Sequence, residues 1–95
     1  MITNIYDVSN PDTVFRKAKE IYGDDVELYF STHKDKKYMI RNPETGKFIH
    51  FGAMGMTDYT KHRDEGRRWR FQQRNKKWKD AEPYSPAFMA YYLLW

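Results

Sequence analysis

Val26-Glu27-Leu28-Tyr29-Phe30-Ser31, Lys37-Tyr38-Met39-Ile40-Arg41 and Lys47-Phe48-Ile49-His50-Phe51 are three short runs in close succession. The first alternates apolar and polar side chains as a half-buried strand should. His33 to Lys36 forms a polar turn between the first two runs. Asn42-Pro43-Glu44-Thr45-Gly46 separates the last two, with Pro and Gly placed for a tight reversal. Three strands with such short connections predict an antiparallel meander that needs a helix to cover it.

Upstream, Asn10-Pro11-Asp12 supplies a helix start. Asn caps, Pro is tolerated at the first helical position, and Asp suits the positive end of the helix dipole. Val14, Ala18 and Ile21 recur at helical spacing with Phe15 and Tyr22 beside them. Arg16, Lys17 and Glu20 form the solvated side, and Gly23 ends the helix.

Downstream of Phe51 the pattern changes. Asp58 to His62 predicts a short helix or turn, and Asp64 opens a helix to about Asn75. Gly66, near its start, costs about 1 kcal/mol against Ala. Ala81-Glu82-Pro83-Tyr84 reads as a linker. Ser85-Pro86 repeats the cap-plus-proline start, so Pro86 to about Leu94 forms a last helix, apolar nearly all round. A helix of that kind is buried, in its own core or against a partner. The expected fold is α+β: an amino-terminal helix, a three-stranded antiparallel meander, a basic helix and a short apolar carboxy-terminal helix, as one domain over residues 1–95.

Ninety-five residues support one modest core. The mean hydropathy of −0.98 is that of a disordered chain, but 18% aromatic residues is not, because disorder is poor in aromatics. A small ordered domain with a charged surface satisfies both values. The absence of cysteine excludes disulfides and thiolate metal sites. No basic segment followed by an apolar core opens the chain, so no signal peptide is expected. The longest apolar run, Ala87 to Trp95, is short against the roughly 20 residues of a membrane span. A product of the cell interior, or of a particle assembled there, is expected.

Charge is polarised. Lys61 to Asp80 contains nine basic residues and three acids, net +6, whereas the remainder of the chain is net −2. Such asymmetry concerns association rather than fold. Arg67, Arg68, Trp69, Arg70, Arg74, Lys76, Lys77 and Trp78 therefore form the candidate binding segment, for nucleic acid or for an acidic protein surface. Gly52-Ala53-Met54-Gly55 lacks the Gly-Lys-Ser/Thr of a phosphate loop and reads as a sharp turn. His50, Asp58, His62 and Asp64 lack a metal-ligand spacing, and no nucleophile–base–orienter set is spaced for catalysis. No enzyme, metal or cofactor is expected. His50, Gly52, Gly55, Asp58, Thr60, His62 and Asp64 read instead as a structural joint between the last strand and the basic helix.

From Lys37 onward the chain resembles a family of small proteins of nucleocytoplasmic large (giant) DNA viruses. The shared pattern is H-F-G-x-x-G-x-x-D-[FY]-T-x-H-x-D, then a basic segment, a tryptophan and a terminal Leu-Trp. His50-Phe51-Gly52, Gly55, Asp58-Tyr59-Thr60, His62, Asp64, Trp78 and Leu93-Leu94-Trp95 carry it here, and Gly66 departs from the charged residue of the pattern. The resemblance spans about the last sixty residues. It implies a viral setting and no particular activity. Together these readings give the expectation of a non-enzymatic virion component, a minor-capsid or cement-type protein located in the virion. It would bridge other capsid subunits through Phe88, Tyr91, Tyr92, Leu93, Leu94 and Trp95. The alternative is a genome-associated protein with its arginines and lysines on phosphates.

Overall fold

A computed structural model describes residues 4–95. Helix α1 (Ile5–Val8) precedes α2 (Pro11–Tyr22), followed by strands β1 (Leu28–Phe30), β2 (Lys36–Arg41) and β3 (Phe48–Ala53). Helices α3 (Tyr59–His62) and α4 (Glu65–Arg74) come next. A 3₁₀ turn (Lys76–Asp80) leads to α5 (Pro86–Met89), which runs on as a π-helical turn (Ala90–Leu94). The fold is α+β, with the three strands forming an antiparallel meander in the order β1-β2-β3.

The start of α2 follows the chemistry of its sequence. The Asn10 side chain accepts from Thr13 N–H at 3.4 Å, Pro11 occupies the first turn, and Gly23 ends the helix at φ +98°. The strand register pairs Tyr38 with Phe51, and Ile40 with both Leu28 and Ile49. Those inward residues meet Val14 and Ala18 of α2 and Met89 and Leu93 of the last segment in one core. The intervening positions of the sheet carry Tyr29, Met39, Phe48 and His50. Tyr29 and Phe48 are exposed and pack edge to face at 6.0 Å.

Several sequence expectations are corrected in detail. The first strand is confined to Leu28–Phe30, and β3 continues through Gly52 to Ala53. Ile21 is exposed, because the apolar stripe of α2 ends in Tyr22, which packs against Tyr84 and Phe88. Lys17 is half-buried rather than solvated, and burial together with the neighbouring Arg68 lowers its pKa. The basic helix runs from its Asp64 cap to Arg74 as expected, and a tighter turn that the sequence did not indicate follows from Asn75. The final helix widens after Met89. Leu93, Leu94 and Trp95 are three consecutive buried residues, which no single narrow helical face accommodates.

Candidate interaction surface

The link from β3 to α4 is built on a buried polar chain. Lys37 and Asp58 are 2% and 1% exposed, and Lys37 Nζ donates to Asp58 Oδ2 at 3.0 Å. The ammonium also donates to the carbonyls of Met56 (2.6 Å) and Val8 (3.3 Å), filling its three donor positions. On the other side of the carboxylate, Thr60 donates its hydroxyl proton to Asp58 Oδ1. Thr60 Oγ1 in turn accepts from Asn10 N–H (2.9 Å), which fixes its remaining roles. Ser9 therefore donates to Thr60 (3.2 Å), and Tyr38 donates to Ser9 (2.7 Å). The hydroxyls of Ser9 and Thr60 each give and receive, and the series that starts at Tyr38 ends on a charge. Burial lowers the pKa of Lys37 against the opposing pull of Asp58, and burial raises that of the Tyr38 phenol.

Five of the seven joint residues meet here or at the adjoining helix. Gly52 adopts φ +84°, and a Cβ on it would come 2.9 Å from Leu94 Cδ1 and 3.1 Å from Lys37 Cδ. Only glycine satisfies both the angle and the space. Asp58 and Thr60 anchor the chain just described. His62 Nδ1 accepts from Asp64 N–H at 2.9 Å, which assigns the proton to Nε2. Nε2 is buried without a hydrogen-bond partner, and the ring lies 5.1 Å from that of Trp95. Asp64 caps α4 by accepting from Arg67 N–H at 3.1 Å, and backbone donors at Arg67 and Gly66 lower its pKa. His50 and Gly55 stand apart. His50 stacks on His33 at 3.6 Å and bonds Ser31, while Gly55 has open space around it. Among the described residues no three carboxylate or imidazole side chains converge as a metal site requires.

The basic segment divides into an inner and an outer set. Phe71 is buried, stacked on Trp95 at 4.4 Å with Trp78 edge-on at 5.8 Å. Arg68 also faces inward. Its Nε donates to the Trp95 carbonyl at 2.9 Å, its guanidinium lies 4.7 Å over the Tyr59 ring, and it pairs with Glu65 at 3.7 Å. Arg68 and Trp78 are thus committed to the fold, and Arg67 is half-buried. Trp69 is 63% exposed, and Arg70, Arg74, Lys76 and Lys77 are exposed around it without an ion pair among the described residues.

The carboxy-terminal interface expected from the sequence is not free. Leu93, Leu94 and Trp95 lie in the chain's own core, because the sheet and α2 supply no other cover for that side. Phe88, Tyr91 and Tyr92 are half-buried in an internal aromatic series, and Tyr92 donates to the Lys79 carbonyl at 2.8 Å.

Sequence reasoning missed a cleft of about 550 Å³ between the start of β2, β3, α4, the 3₁₀ turn and α5 with its π-helical continuation. Phe51, Gly52, Met56, Phe71, Trp78, Ala87, Ala90, Leu94 and Trp95 line it, with Lys36, Thr57 and Ser85 as polar members and the Lys37–Asp58 pair in its wall. No linear motif marks such a site, since its walls come from five separated stretches of chain. Among the described residues no helix is long and apolar enough to cross a membrane.

Residues 26–75 match the family described as Family of unknown function (DUF5754), and the chain belongs to it. The matched stretch takes in the whole sheet, the joint and α4, and leaves out α1, α2 and the segment after Asn75. No curated protein and no solved structure matches the chain.

Proposed function

We propose that the chain is a non-enzymatic structural component of a virion, a small minor-capsid or cement-type protein that bridges other subunits through the outer face of α4. Trp69 carries this reading: a large aromatic side chain 63% exposed, on a helix fixed from beneath by Phe71 and Arg68, with Arg70 and Arg74 beside it. Tryptophan and arginine are the residues that dominate protein interfaces. A rigid helix presenting them loses little freedom on binding. The non-enzymatic part is supported by the pairing of Lys37, Asp58 and Thr60 with one another, which leaves none of them aimed at a substrate. The viral setting rests on the resemblance in the stretch from His50 to Asp64.

Fractionation of purified particles tests the proposal. The protein is expected with the shell, and Trp69→Ala is expected to weaken its retention at least about tenfold with unchanged thermal unfolding. Recovery only with released genome, or full retention of Trp69→Ala, refutes it. A genome-associated role is favoured by one observation, the exposed Arg70, Arg74, Lys76 and Lys77, without an ion pair among the described residues, in the same segment as the exposed Trp69 indole. It requires DNA affinity that falls steeply with salt and collapses in an Arg70→Ala/Arg74→Ala variant. Absence of DNA and RNA binding at about 0.15 M salt eliminates it.

A further inference from the structure

The cleft beneath the 3₁₀ turn has the attributes of a small-molecule site. At about 550 Å³ it falls within the roughly 300–1,000 Å³ range of ligand pockets. Its lining is apolar and aromatic apart from Lys36, Thr57, Ser85 and the Lys37–Asp58 pair, and the side-chain charge left uncompensated among these is positive. Lys36 is half-buried in the lining, and none of the four ion pairs among the described residues includes it. Thr57 contributes a hydroxyl to the lining. The one side-chain carboxylate in the lining, Asp58, is neutralised by Lys37 at 3.0 Å. Lys77 and Lys79 flank Trp78 on the adjoining turn.

We infer that this cleft binds a small amphiphilic anion, an acyl or aromatic body bearing one carboxylate or comparable acidic group. The body lies against Phe71, Trp78, Ala90 and Leu94, and the anion meets Lys36 with Thr57 as a second donor. The apolar walls reward burial of the body at roughly 25 cal/mol per Å² of surface removed from water. The positive side selects against cations of the same shape. Gly52 belongs to the same site. It lines the cleft beside Leu94, and a Cβ there would come 2.9 Å from Leu94 Cδ1. The inference is independent of the Trp69 face, which lies outside the cleft.

Dodecanoate serves as the probe, with dodecanol and dodecylammonium as its uncharged and cationic counterparts, each below its micelle concentration. Binding is followed by methyl NMR. Saturable shifts are expected at Met56 and Leu94 in the lining, and none at Ile21, which is exposed on α2. Dodecanoate is expected to bind at least about fivefold more tightly than dodecanol, and dodecylammonium more weakly than either. Ala90→Phe, which fills the cleft, is expected to reduce dodecanoate affinity at least about tenfold. Lys36→Met keeps the length of the half-buried side chain and removes its charge; with thermal unfolding unchanged, it is expected to erase the preference for the carboxylate over the alcohol while preserving the methyl shifts. The inference is overturned if dodecanoate produces no saturable shift. Equal affinity for the carboxylate and the ammonium overturns it too. So does occupation of the cleft by an apolar side chain of a shell protein in the assembled particle, seen as the same shifts in the complex with no response to dodecanoate in the free chain.

Discussion

Replacing Lys37 with Met removes one charge of a pair whose members are 2% and 1% exposed. The stem of the side chain is kept, so the loss is that of the ammonium and its three hydrogen bonds. Asp58 then holds an uncompensated buried carboxylate, and breaking a buried pair in this way costs about 3–5 kcal/mol. The carbonyls of Met56 and Val8 lose a donor as well, which places the expected value toward the upper end of that range. A domain of 95 residues has a total stability on the order of 5–14 kcal/mol, so the variant forfeits a third or more of a typical value. Its Tm should fall by at least about 12 °C. The pairing argument makes a sharper demand of the double variant Lys37→Met/Asp58→Asn. The new amide would carry no charge and could still accept from Thr60, so the double variant should be more stable than the sum of the two single losses implies, by about 2 kcal/mol. Urea unfolding at pH 7 measures all four corners, with an unchanged m-value confirming that only stability has moved. A loss below about 1 kcal/mol for Lys37→Met, or simple additivity of the two substitutions, would refute the account of the joint as a charge-dependent anchor.

Gly52→Ala should cost at least about 2 kcal/mol, since it combines a strained backbone at φ +84° with a 2.9 Å clash on Leu94, whereas Gly55→Ala should change stability by less than about 0.5 kcal/mol. Thermal melts of the two variants decide it. His62 and His50 both have pKa values lowered by burial, with Arg67 and His33 as the next causes. Their contribution is therefore full above the unfolded value of about 6.5 and is lost as pH falls from there through the folded values. Urea midpoints should hold well above about pH 6.5 and decline as pH falls through it, and a His50→Asn/His62→Asn variant should show a shallower decline there. Asp64→Ala removes the cap of α4 and should cost about 1 kcal/mol by chemical unfolding. Trp69→Ala, with an exposed side chain, should leave unfolding unchanged to within about 0.5 kcal/mol.

Local chemistry made much of this fold legible. Asn10, Pro11 and Gly23 delimit α2 because capping, fixed φ and positive φ act within a few residues. Pro43 and Gly46 mark the second hairpin for the same reason. What escaped the sequence was long-range. Lys37 occupies the strand phase of Met39 and Arg41, which reads as outward, and only the return of Val8, Met56 and Asp58 over that end of β2 buries it. Ser9 and Thr60 are ordinary polar residues until the chain brings them together. The apolar end of the chain was equally consistent with an internal or an external role, and burial of Leu93, Leu94 and Trp95 assigns it to the core. Within the basic segment, charge counting could not separate Arg68, which holds the Trp95 carbonyl, from Arg70 and Arg74, which are exposed and form no ion pair among the described residues.

The hydroxyl series from Tyr38 to Asp58 also bears on time. Its links join residues 29 and 51 positions apart, whereas the hairpins of the sheet close over far shorter stretches of chain. Loop closure of that length has to be met before the contact returns anything, so such links belong to the late side of the folding barrier. Their strength then governs how slowly the native chain comes apart far more than how quickly it assembles. Such a domain is expected to come apart slowly, and Ser9→Ala or Thr60→Ala should speed unfolding far more than it slows folding.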